Sequence, residues 1–100
     1  MSTLKFGDSG PYGELVQRTL PEGLALVFVP SLAALLVEAQ ELNGGALTEA
    51  QVLRIRNGSH VMVVGPDQVS AVEEARGYTD IDAADAWQSW LQLPEAKRGI

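Results

Sequence analysis

Apolar residues in the middle of the chain recur with a helical period. Leu32, Leu35, Leu36, Ala39 and Leu42 fall at i, i+3, i+4, i+7 and i+10, with Glu38, Gln40 and Glu41 between them. That spacing gathers the apolar set on one face and predicts a helix over Ser31–Asn43. Asn43-Gly44-Gly45 stops it, since asparagine and glycine are the residues that take the left-handed cap conformation. A second helix is marked at its start. Thr48 as N-cap puts Gln51 at the third helical position, a capping box, while Leu47 and Val52 sit where a hydrophobic staple would close over it. This helix is predicted from Thr48 to about Asn57. Near the C-terminus Ala83, Ala86, Trp87, Trp90 and Leu91 again keep helical spacing. Asp82 is suited to cap that last helix and Asp85 to its positive end, and Pro94 ends it.

The remaining apolar runs are short. Val61–Val64 is rich in β-branched residues, lies between Gly58 and Gly65-Pro66, and reads as a strand. Leu24–Val29 has strand composition, but over six residues a buried strand and the start of a buried helix look alike; Pro30 favours an extended Val29, and as a strand the run is the natural mate of Val61–Val64. Pro66 fits the first turn of a helix whose face is Val69, Val72 and Ala75, running to Arg76 and closed by Gly77. Glu14–Leu20 offers one or two helical turns. Residues 1–13, with Gly7, Gly10, Pro11 and Gly13, read as irregular, and 94–100 as a frayed tail. The expected architecture is a single domain over residues 1–100 and mainly α. Three to four helices pack around at most a two-stranded β ribbon that pairs Leu24–Val29 with Val61–Val64.

Composition narrows the function classes. A 100-residue chain can bury a core without staples, and this one has no cysteine, which removes disulfides, thiolate metal sites and cysteine nucleophiles. Lack of cysteine fits a reducing cytoplasm, the expected location. The net charge is −6, and residues 61–93 hold six acids against Arg76 alone. A field of that sign repels phosphate backbones and draws basic partners, so no nucleic-acid role is expected. The apolar run 24–37 is interrupted by Pro30 and Ser31 and is too short to span a bilayer. Asp8, Glu14 and Glu22 ahead of it are not the leader of a signal peptide, so no membrane association is expected either.

Candidate chemistry is sparse. Asp80, Asp82 and Asp85 could hold a hard cation, but counting from Asp80 a calcium loop would need glycine where Asp85 stands and glutamate where Leu91 stands. Capping is the commoner use of such residues, and no metal or cofactor is expected. His60, the only histidine, has no carboxylate that the sequence places beside it, so it reads as a turn residue and the chain as a non-enzyme. Gly65-Pro66-Asp67 opens a helix after a strand but lacks the glycine-rich loop of a phosphate site. Arg54, Arg56 and Arg76, with two helices at helix-turn-helix spacing, make too small a basic spot for an acidic body. Trp87 and Trp90 lie three apart on one face. Both suit a core, and an exposed one would be an interface anchor.

Taken together, Leu47-Thr48-Glu49-Ala50-x-Val52-Leu53-x-Ile55-Arg56, then Arg76-Gly77-Tyr78-x-Asp80-Ile81-Asp82, then Trp87-x-x-Trp90, resemble a pattern of small uncharacterised bacterial proteins. Some proteins of this size and acidity serve as immunity partners of secreted toxins. The resemblance covers residues 47–90 and implies binding rather than catalysis. The expected function is therefore a non-enzymatic protein-binding domain of immunity or antitoxin type, which occludes a basic toxin or enzyme surface with its acidic C-terminal half. Tyr78, Asp80, Asp85, Gln88, Ser89 and Trp90 are the candidate partner-binding residues. The alternative is a self-associating module, a homodimer through the apolar helix Ser31–Asn43.

Overall fold

A computed structural model describes residues 3–93. In chain order the elements are β1 (Ser9–Pro11), α1 (Tyr12–Leu15), β2 (Ala25–Phe28), α2 (Leu32–Asn43), α3 (Glu49–Gly58), β3 (His60–Val64) and α4 (Pro66–Arg76). A 3-10 turn (Ala83–Asp85) then leads into α5 (Ala86–Gln92). The strands form one antiparallel sheet in the order β1-β3-β2.

The predicted pairing of the two apolar runs is present, with Ala25 opposite Val64 and Phe28 opposite Val61. The expected helices are present, but the sheet is larger than a ribbon, which makes the fold mixed α/β. Its third strand lies inside the segment expected to be irregular. Ser9, Gly10 and Pro11 pair with Met62, Val61 and His60. These residues join through backbone groups, and none of their side chains carries the apolar signal that marks a strand. Gly10 also has a packing role, because a Cβ there would meet Leu15 Cδ1 at 2.8 Å. Leu4, just upstream, is buried, and its N–H donates to Thr19 O at 2.8 Å.

Alternation along β3 sorts the two faces of the sheet. Val61 and Val63 point into the core with Phe28, while His60 and Met62 point to solvent. The helices cover the inward face with Tyr12 and Leu15 (α1), Leu32 and Leu36 (α2), Val52 (α3), and Ala86 and Trp90 (α5). Tyr12 stacks on Phe28 with ring centroids 5.5 Å apart, and the Arg56 guanidinium lies 5.2 Å from the Tyr12 centroid. The first helix is Tyr12–Leu15, shifted toward the N-terminus from the expected Glu14–Leu20.

The three middle helices match their predicted bounds because their ends are encoded locally. Ser31 caps α2, its Oγ accepting from Ala34 N at 3.1 Å, and Gly44 closes it in the left-handed conformation. The capping box of α3 is complete, with Thr48 Oγ1 accepting from Gln51 N at 3.2 Å and Gln51 Oε1 accepting from Thr48 N at 2.8 Å. Pro66 opens α4, Gln68 Oε1 accepts from Gly65 N at 3.1 Å, and Gly77 ends the helix with φ +79°. The last helix differs from expectation at its start. Asp82 does cap, accepting from Ala84 N at 3.1 Å, but what it caps is the 3-10 turn, and α5 proper begins at Ala86. The expected frayed tail, 94–100, lies outside the described residues.

Candidate functional site

The segment Arg76–Asp82 joins α4 to the last helix and passes the start of α2. Gly77 turns the chain, and Tyr78 then reaches Ser31, with its hydroxyl 2.6 Å from Ser31 Oγ. Asp80 is more deeply committed. Its carboxylate accepts from Leu32 N, Ala33 N and Ile81 N, each at 2.8 Å. Leu32 and Ala33 are the first residues of α2, whose opening N–H groups have no carbonyl within the helix to donate to. Asp80 thus caps a helix that begins 48 residues earlier. Arg76 Nη1 stands 3.8 Å from Asp80 Oδ2, and Arg76 Nη2 donates to Phe28 O at 2.7 Å. One loop therefore ties β2, α2 and α4 together.

This accounts for several of the predicted binding residues. Asp80 is a helix cap. Trp90 is 1% exposed and belongs to the core, so it cannot be an interface anchor in this fold. Ser89 is half-buried and accepts from Asp82 N through its hydroxyl at 3.1 Å, closing the start of the last helix. Asp85 and Gln88 are exposed, and Tyr78 is 37% exposed. Of the six, Tyr78, Asp85 and Gln88 therefore present accessible surface, and Tyr78 alone is also tied to the α2 start.

The other candidates resolve similarly. Among the described residues no group of three or more histidine or acidic side chains is placed to hold a metal. His60 is exposed at the start of β3, where its carbonyl accepts from Val29 N at 3.1 Å, so it is a strand residue and not part of a turn. The three arginines do not gather into a basic spot. Arg56 donates to Ala83 O at 3.0 Å and covers Tyr12, Arg76 faces Phe28 and Asp80, and only Arg54 is exposed. No helix among the described residues is long and apolar enough to cross a membrane.

Two depressions adjoin the loop. A groove of about 720 Å³ runs between α2 and Tyr78, with Ala33, Ala34 and Val37 on its floor and Glu38 and Glu41 on its rim. A cleft of about 490 Å³ separates β2 from α4 and the 78–83 segment. In the sequence Glu38 and Glu41 mark only the polar side of an amphipathic helix. Their spacing of three puts both on one helical face, but nothing local shows that Tyr78 would be set opposite them. The arrangement offers acidic groups beside apolar surface. Comparison with known proteins finds no matching family model, no matching curated protein and no matching solved structure.

Proposed function

We propose that the chain is a non-enzymatic binding domain of immunity or antitoxin type, which covers a basic surface of a protein partner with its acidic C-terminal half. The observation that supports this reading is the orientation of Arg76. It is the one lysine or arginine among residues 61–93, and its guanidinium faces Phe28 O and Asp80. The exposed charges of residues 61–93, at Asp67, Glu74, Asp82 and Asp85, are then of one sign. Fields of one sign steer an oppositely charged partner and quicken its encounter. Tyr78 and the groove beside it, rimmed by Glu38 and Glu41, add apolar contact within the same field. The test is calorimetric binding to the product of the adjoining gene, at low and at high salt. The reading expects affinity that falls with salt and falls again in a Glu74→Gln, Asp82→Asn, Asp85→Asn variant. No binding, or binding indifferent to both changes, rejects it.

Self-association through α2 remains the second reading because Leu42, near the end of that helix, is 83% exposed. A monomer in sedimentation at tens of micromolar, with Leu42→Ser behaving identically, rejects that reading.

A further inference from the structure

The outer side of the β2 backbone is incompletely hydrogen-bonded, although Ala25, Leu26 and Val27 are half-buried and Phe28 is buried. Val29 N donates to His60 O, and these residues stand on the same register line as Val27–Met62 and Ala25–Val64. Antiparallel pairs alternate, so Ala25 and Val27 exchange hydrogen bonds with β3 while Leu26 and Phe28 direct their N–H and C=O groups the other way. The Arg76 bond to Phe28 O comes from that outer side and agrees with the alternation. Among the described residues nothing pairs with the outward N–H and C=O of Leu26 or with the N–H of Phe28. Such an edge is a template for another strand unless something covers it.

The cover is partial. Helix α4 lies along this edge, but no residue of α4 is buried, and the cleft of about 490 Å³ lies between them. Val69 and Val72 give its lining apolar surface, and Glu73 and the exposed Asp82 give it carboxylates. Among the described residues the Glu73 carboxylate accepts one hydrogen bond, from Thr79 Oγ1, and the Asp82 carboxylate one, from Ala84 N. Each carboxylate therefore keeps acceptor capacity for a further donor. Arg76, the one base lining the cleft among the described residues, is already shared between Phe28 O and Asp80.

We infer that the outer edge of β2 accepts an extended, basic peptide segment of a partner as a fourth strand. This rests on the proposed partner-binding function and gives it a docking mode. The outward groups of Leu26 and Phe28 recur every two residues, about 7 Å apart, the repeat of an added strand. Alternate side chains of that strand would meet Val69 and Val72, and its lysines or arginines would reach Glu73 and Asp82. Its N–H competes with Arg76 for Phe28 O, so the arginine acts as a stopper that selects for a segment with charge to offer in exchange.

The test uses the full chain and a short fluorescein-labelled peptide of alternating lysine and valine. Fluorescence anisotropy is read for this peptide and for two versions N-methylated at alternate residues. One methylated version should lose about tenfold or more in affinity and the other should match the parent, because only one set of amides faces β2. Glu73→Gln with Asp82→Asn should weaken the parent peptide about fivefold. Amide exchange should slow at Leu26 and Phe28 on binding and stay unchanged at Val27. Equal binding by both methylated versions would show contact through charge alone, which overturns strand addition and leaves the acidic-surface reading intact. Failure of the peptide to bind also overturns it, while the calorimetric test against the adjoining gene's product still decides the broader function. Protection of the same two amides that grows with protein concentration alone would assign the edge to a second copy and overturn the peptide reading.

Discussion

Replacing Asp80 with alanine should destabilise the fold far more than its place in a surface loop suggests. The substitution leaves the N–H groups of Leu32 and Ala33 without their acceptor, and Leu32 is wholly buried. A hydrogen bond to a charged group contributes about 1.5–3 kcal/mol, so the two tertiary bonds set an upper range of about 3–6 kcal/mol. The Asp80 side chain is 19% exposed, and Ser31 still caps Ala34, so water can replace part of the loss. The expected cost is about 3 kcal/mol, out of the roughly 5–15 kcal/mol that holds such a domain together. Urea denaturation should show the midpoint falling with an unchanged slope. Asp82→Ala is the internal control, since Asp82 caps only a 3-10 turn and its loss should cost about 1 kcal/mol. Asp80→Asn keeps an acceptor and should fall between the two. If Asp80→Ala costs no more than Asp82→Ala, the long-range cap does not hold α2, and the assignment of Asp80 to architecture is wrong.

Trp90→Ala removes the largest fully buried side chain and should cost about 3–5 kcal/mol, read as a collapse of the thermal midpoint. A loss under 1 kcal/mol would mean that the indole is not in the core. Thr48→Ala breaks the capping box of α3 and should cost about 1 kcal/mol in the same denaturation assay, with Thr48→Ser restoring most of it.

What could be read in the sequence was whatever the chain encodes within a turn of itself. Ser31, Thr48, Gly44 and Gly77 mark the ends of α2, α3 and α4 because caps are made by residues three or four positions from the groups they satisfy. The pairing of β2 with β3 was legible only in part, because six apolar residues from Leu24 to Val29 suit a buried strand or the start of a buried helix alike. Strand β1 was hidden because Ser9-Gly10-Pro11 contributes backbone bonds rather than buried side chains. Asp80 was hidden for a different reason. Its acceptors serve a helix 48 residues earlier, and a carboxylate that caps across such a distance looks, in sequence, like one free to meet a partner. The same ambiguity affected the tryptophans, where helical spacing put Trp87 and Trp90 on one face without showing whether that face was covered. Folding buries Trp90 and leaves Trp87 half-buried.

The central strand of the sheet is also the last of the three to appear in the chain. Both β1 and β2 pair only with β3, which ends at Val64. During synthesis, the first two strands therefore wait without a mate until His60–Val64 has been made, and Asp80 then arrives later still to fix α2. A nascent chain at that stage has apolar strand sequence and no sheet to place it in, a state open to wrong pairing.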